Sequence, residues 1–225
     1  MKKTLKELYM YTEHKWESDK HFNFSYLKYL PADYDGKKKL PLLLFLHGAG
    51  ERGEELEVVA RHGYLKHIRE KGKDYPFIIV APQCPSGKYW GALIESLLGF
   101  LDYLSEELPI DTDRVYLSGL SMGGNGTFLL AMADADRFAA IAPVCGNGIV
   151  WYGEALKDLP TLMYHGDLDT IVPISESVTM LTAINKNGGN ATLKICNGVG
   201  HNAWDIAYEG DELASWLMEH KRSKA

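Results

Sequence analysis

Five short, almost unbroken apolar runs constrain this chain more than any other feature: "LPLLLFLHG" (40–48), "PFIIVAPQ" (76–83), "RVYLSG" (114–119), "FAAIAPVCG" (138–146) and "LPTLMYHG" (159–166). A strand with one wet face alternates apolar and polar residues, because successive side chains point to opposite sides. A run without that alternation has no wet face, which suits a strand covered on both sides, as in a parallel sheet. Between the runs, residues 92–108 carry Leu93, Leu97, Phe100, Leu101, Leu104 and Leu108 at helical spacing, and Pro109 follows the end. Residues 123–133, 175–187 and 209–221 read as helices in the same way. Strands alternating with helices predict βαβ units and a doubly wound, mostly parallel α/β sheet with helices on both faces. The earlier stretch "HFNFSYLKYLP" (21–31) does alternate and ends at a proline, which predicts an antiparallel strand. With no repeat, low-complexity tract or linker-like stretch, residues 1–225 are expected to form one domain.

Ligands bind such sheets at the carboxyl ends of the strands, and every chemistry-bearing motif of this chain falls at one of them. The stretch "RVYLSGLSMGGNG" runs a strand into Gly119-Leu120-Ser121-Met122-Gly123 and continues at once into a helical pattern. A G-x-S-x-G alone is a modest signal in a chain with 22 glycines. The order strand, sharp turn, helix raises it, because that turn exposes the serine hydroxyl at the strand tip. It also aims the N–H of Met122 and the helix N-terminus at one spot, where a developing negative charge would be held. The plainer alternative is a glycine-rich helix start capped by a serine.

A serine nucleophile needs a base, itself oriented by a carboxylate. Of eight histidines, His201 follows a strand-like run and the flexible Gly198-Val199-Gly200, late in the chain. Asp167 and Asp169 lie just past another strand end, so the order Ser121, Asp, His201 is the one this architecture uses. His165 precedes the carboxylates and reads better as a partly buried histidine bonding the loop backbone. Histidines 14, 21, 62, 67 and 220 lie in polar segments and are expected at the surface.

Taken together, "LHGAGERG" (46–53), "APQCP" (81–85), "GLSMGG" (119–124), "HGDLDTIVP" (165–173) and "GVGHNAW" (198–204) resemble the α/β-hydrolases. The nearest branch is that of the small carboxylesterases and phospholipases, "predicted peptidases" among them, which includes feruloyl and acetyl esterase domains. The resemblance runs from about Leu40 to the C-terminus. It implies that the acid is the second aspartate of its motif, Asp169, with Asp167 a helper or loop-stabilising residue. It also implies that the loop after the first central strand supplies a second oxyanion donor, the backbone N–H of Ala49, with His47 and Gly48 shaping the turn. Arg52 lies where substrate should enter and is a candidate contact for a polar or acidic group. Trp90 is a candidate aromatic wall for an acyl or sugar group, whereas Trp204 is expected to pack under the histidine loop.

These residues predict a serine carboxylesterase acting through an acyl-enzyme on short-acyl or aromatic esters, free or attached to carbohydrate. A peptidase, thioesterase or lysophospholipase with the same triad, and a catalytically silent binding module, are the alternatives. No cofactor is expected: there is neither a dinucleotide fingerprint nor a Walker loop. No metal is expected either, since His165, Asp167, Asp169 and His201 lack metal-ligand spacing. The net charge of −6 argues against a nucleic-acid partner. The N-terminus lacks the apolar core of a secretory signal, and no run is long enough to span a bilayer. Cys84, Cys145 and Cys196 have no paired spacing, so a cytoplasmic protein with reduced, buried thiols is expected. Only "NGIVWYGEALKD" (147–158) separates the strand after the nucleophile helix from the strand leading to Asp169. A dozen residues form a minimal lid, which predicts an open, shallow cleft rimmed by that segment, residues 51–54 and Trp90.

Overall fold

In the computed structural model, which describes residues 11–222, eight strands form a single sheet with the spatial order β1-β2-β4-β3-β5-β6-β7-β8. The strands are β1 (Tyr11–Trp16), β2 (Phe24–Tyr29), β3 (Leu40–Leu46), β4 (Ile78–Pro82), β5 (Ile110–Leu120), β6 (Ala140–Val144), β7 (Thr161–Gly166) and β8 (Ala191–Cys196). β1 with β2 and β2 with β4 pair antiparallel, and every other neighbour is parallel. The helices are α1 (Gly63–Lys71), α2 (Ile94–Glu107), α3 (Met122–Ala133), α4 (Ser175–Lys186), the single turn α5 (Trp204–Ala207) and α6 (Glu212–Glu219).

β3 shows why the apolar runs have no wet face. None of Leu42 to Leu46 is exposed. Leu42, Leu44 and Leu46 enter a core with Leu97, Phe100 and Leu104 of α2, Phe128 of α3 and Met180 of α4. Leu43 and Phe45 point the other way, into a core with Tyr64 and Ile68 of α1 and Leu213 and Leu217 of α6. Each fully buried leucine contributes about 1.5–3 kcal/mol of transfer free energy, so neither face can be left uncovered. From β3 the chain goes first to β4 on one side and then to β5 on the other. That reversal places a crevice at the carboxyl ends of β3 and β5, the switch point of the sheet.

Several elements differ from the sequence reading. β1, an edge strand with charged residues on its wet face, and α1, closed by Gly72 in the left-handed region (φ 62°), carry patterns too polar to stand out. The helix expected at 92–108 opens as a 3-10 turn, Trp90–Leu93, and turns α-helical at Ile94. The last helix is shorter than expected, Glu212–Glu219, with α5 as a separate turn before it. Residues 147–158 hold a 3-10 segment, Val150–Leu156, and no larger insertion. His67 is buried rather than superficial, because it lies on the inner side of α1. All three cysteines are free and buried. Among the described residues no helix is long and apolar enough to cross a membrane.

Candidate active site

The corner between β5 and α3 is built by close approach of backbones. Ser121 sits at φ 54°, ψ −116°, outside the ordinary basins for a residue with a side chain. Such a conformation costs about 1–3 kcal/mol and persists only where neighbours over-determine it. Here the Ser121 N–H donates to Val144 O of β6 (2.8 Å), and Asn125 N–H donates to Ser121 O (3.0 Å). The flanking glycines leave room for this. A Cβ on Gly123 would lie 1.8 Å from Leu46 O, and one on Gly119 would lie 2.5 Å from Gly123 O. Any side chain at either position would part the first turn of α3 from the tips of β3 and β5. The first N–H groups of α3, that of Met122 among them, have no acceptor within the helix.

Ser121 Oγ lies 2.7 Å from His201 Nε2, and His201 Nδ1 lies 2.7 Å from Asp169 Oδ2. The carboxylate side chain is fully buried and the imidazole is partly exposed. Burial alone would raise the Asp169 carboxyl, but hydrogen bonds from His201 and from the N–H groups of Val172 and Ile171 outweigh it and hold the group below the ordinary carboxylate range. The acid therefore presents one oxygen to the base while the loop backbone holds the other. Asp167 serves the histidine loop instead, since its Oδ1 accepts from Gly198 N–H (2.7 Å) and so pins the segment that carries His201. His165 is fully buried, more so than the sequence suggests. Its Nε2–H donates to Val172 O (2.8 Å) and its Nδ1 accepts from the Ser177 hydroxyl (2.7 Å), which fixes the acid loop from below. Trp204 packs edge-on against His201, with ring centroids 5.2 Å apart.

The loop after β3 supplies the opposite wall. Ala49 opens a short 3-10 turn, Ala49–Glu51, so its N–H also has no intrahelical acceptor. Beside it, His47 is buried. Its Nδ1–H donates to Gly48 O (2.6 Å) and its Nε2 accepts from Cys84 N–H (2.9 Å), so the ring is neutral and in one tautomer. Burial pushes this imidazole down to about 4. Arg52 is held by the loop backbone: Nε–H donates to Ala49 O (2.9 Å) and Nη1–H to Lys88 O (3.3 Å), with the guanidinium over the Tyr89 ring. Trp90 corrects the sequence reading. It has no exposed surface, and its indole N–H donates to His47 O (3.0 Å), so it cannot wall an open pocket. The exposed aromatic of this segment is its neighbour Tyr89, which the sequence alone did not separate from it.

Two surroundings bear on what the site can do. Cys145, Asp169 and His201 are the group of three potential metal ligands found among the described residues, their donor atoms within 4.8 Å of one another. Two of them are committed to the hydrogen bond just described, and burial pushes the Cys145 thiol up to about 12, leaving it protonated and a poor ligand. On the solvent side, Ile149, Val150, Trp151 and Tyr152 follow β6 and are exposed, Trp151 at 91%. The segment that leads to them is tied to the nucleophile helix by Asn125 Nδ2–H, which donates to Asn147 O (2.9 Å). Leu168 and Ile171 flank Asp169 and are exposed as well. A cleft of about 610 Å³ beyond the Ala49 loop, lined by Glu54, Glu55, Glu57, Arg61 and Arg69, contains none of the triad.

This architecture recurs in solved proteins. A thermostable esterase superposes with a TM-score of 0.87 at 28% identity, covering 95% of this chain and 64% of that one. The chain has the α/β-hydrolase fold. Residues 147–222 of this chain match the prolyl oligopeptidase family. It is 29% identical over 137 residues to a bifunctional acetylxylan esterase/xylanase of Neocallimastix patriciarum, a match covering 59% of this chain and 20% of that protein. It is 26% identical over 174 residues to a probable feruloyl esterase C of Aspergillus terreus, covering 73% of this chain and 62% of the relative. The chain thus spans less than two thirds of the length of these relatives.

Proposed function

We propose that the protein is a serine carboxylesterase that cleaves short-acyl or aromatic carboxylic esters through an acyl-enzyme. The observation that carries this reading is the continuous relay from Ser121 Oγ to His201 to Asp169, each link 2.7 Å, on a strained elbow. His201 Nε2 takes the Ser121 proton as Oγ attacks the ester carbonyl. The carbonyl oxygen gathers charge between the N–H groups of Ala49 and Met122. His201 then hands the proton to the leaving alcohol, the acyl group stays on Ser121, and water activated by the same imidazole releases the acid. Asp169 keeps Nδ1 protonated throughout and stabilises the imidazolium.

The esters are read from the surface around the serine. The apolar side chains at 149–152, 168 and 171 favour an acyl group with apolar or aromatic character. With only a short 3-10 segment in the 147–158 connection, we read the site as open, which suits esters attached to a bulky sugar chain and gives a long acyl chain little surface to shed water against. The similarity to proteins named acetylxylan esterase and feruloyl esterase supports the same class. The match to the prolyl oligopeptidase family favours a second reading, amide cleavage by the same triad. Rates on matched ester, thioester and amide substrates separate the two. A fluorophosphonate probe should label wild type and not Ser121→Ala; an unlabelled wild type would mean a silent fold. Activity should peak with short or cinnamoyl-type acyl groups and show no jump when substrate forms micelles. Preference for long-chain triglycerides with interfacial activation would overturn the substrate assignment.

A further inference from the structure

Three consecutive carbonyls in the loop after β3 each accept a hydrogen bond from a different side chain. His47 O accepts from the Trp90 indole (3.0 Å), Gly48 O from His47 Nδ1–H (2.6 Å) and Ala49 O from Arg52 Nε–H (2.9 Å). In a trans peptide the C=O and the following N–H point in opposite directions, so fixing a carbonyl also aims the next N–H. The bond to Gly48 O therefore sets the direction of Ala49 N–H, and the bonds on either side keep the neighbouring peptide planes from rotating away from it.

Of the three donors, Trp90 places its side chain against the nucleophile helix, beside the backbone approach of His47 O to Gly123. A Cβ on Gly126 of α3 would lie 2.7 Å from Trp90 Cβ and 3.0 Å from its Cγ, so the helix can approach the indole only because residue 126 is glycine. The indole also meets the His47 ring edge-on at 5.0 Å. One rigid side chain thus spans from the Ala49 loop to α3, the two elements that present N–H groups to the Ser121 corner. We propose that Trp90 is a positioning residue that fixes the Ala49 half of the oxyanion hole relative to the Met122 half. This rests on the serine-esterase reading above. Its role is geometric: the indole touches neither substrate nor the reacting atoms, and it acts through the His47 carbonyl.

The test compares an ester with its thionoester, in which sulfur replaces the carbonyl oxygen. Sulfur is a poor hydrogen-bond acceptor, so an enzyme with well-aimed oxyanion donors discriminates between the pair, and one with a slack hole does not. Two variants are measured: Trp90→Phe, and residue 90 replaced by benzothienylalanine, which keeps the bicyclic shape and removes only the N–H. Misplacement of a catalytic group by about 1 Å costs about 10²-fold. Both variants should therefore lose roughly 10- to 100-fold in kcat on the ester, keep KM within about threefold, and lose most of the ester-to-thionoester preference. If Trp90→Phe fails to fold, the benzothienyl variant, which preserves packing, decides the matter alone. A benzothienyl variant with native thermal stability and the wild-type ester-to-thionoester ratio would overturn the proposal. A wild type that shows no acylation at Ser121 would instead count against the serine-esterase reading, so the two failures are distinguishable.

Discussion

The nucleophile corner and the solvent-facing rim both follow the carboxyl ends of parallel strands, yet they are built on opposite terms. At the corner, Gly119, Ser121, Gly123 and Leu46 meet backbone to backbone, and added atoms have nowhere to go. At the rim, Ile149 to Tyr152, Leu168 and Ile171 project into solvent, where their size is unconstrained by neighbours. On the proposed reading, the corner holds chemistry that tolerates no displacement, and the rim holds recognition that can change residue by residue. Reactivity and specificity should therefore separate under mutation.

The largest effect belongs to the corner's relay. Ser121→Ala should keep the fold and lose at least about 10⁴-fold in turnover, and Ser121→Ala/His201→Ala should be little worse, since relay members act as a unit. Additive losses in kcat would break the assignment. Next come the two aspartates. Asp169→Asn removes the partner that sets the His201 tautomer and should cost about 10⁴ in kcat. Asp167→Asn keeps an acceptor for Gly198 N–H and should stay within about threefold of wild type. Reversed ranks in steady-state kinetics would show that the wrong carboxylate is in the relay.

A smaller effect sharpens the comparison through pH. Burial lowers the His47 imidazole to about 4, below the free value near 6.5, so the unfolded chain binds a proton that the native one refuses. Between those values stability must fall as pH falls, by a few kcal/mol at most, and flatten below about 4. Urea unfolding at pH 7 and 4.5 should show this loss, and His47→Gln should reduce it. An unchanged slope in that variant would mean the buried imidazole does not carry the effect. Smallest of all, Trp151→Ala should leave the melting temperature unaltered, since its ring is exposed, and lower kcat/KM for a cinnamoyl-type ester about 3- to 10-fold more than for an acetyl ester. Equal losses on both esters would remove the rim from specificity.

The parallel core was legible because burial on two faces leaves its mark on every residue of a strand, as in Leu42–Leu46. Ser121 and His201 were legible because each stands beside glycines in a short local motif, whereas the choice of Asp169 over Asp167 came from the family resemblance alone; the structure brings Ser121, His201 and Asp169 within hydrogen-bonding distance. Trp90 was not legible. A tryptophan next to a tyrosine after a strand has the same pattern whichever of the two turns inward, and the choice was made by Gly126 and His47, far away in sequence. β1 and α1 were missed for a related reason: each buries one narrow stripe beneath charged residues, and the stripe is defined only by the neighbours that cover it.

The elbow has a consequence for the order in which the molecule is made. Its strained serine is held by Val144, and its base and acid arrive 80 and 48 positions later along the chain. Contacts this distant in sequence form late, because the intervening chain must be closed into a loop first. During synthesis, at about 5–20 residues per second, a nascent chain exposes Ser121 for several seconds before His201 exists to activate it. On the proposed reading, the polypeptide is therefore born inert, and Ser121 gains its activating base only when the sheet has closed as far as β8.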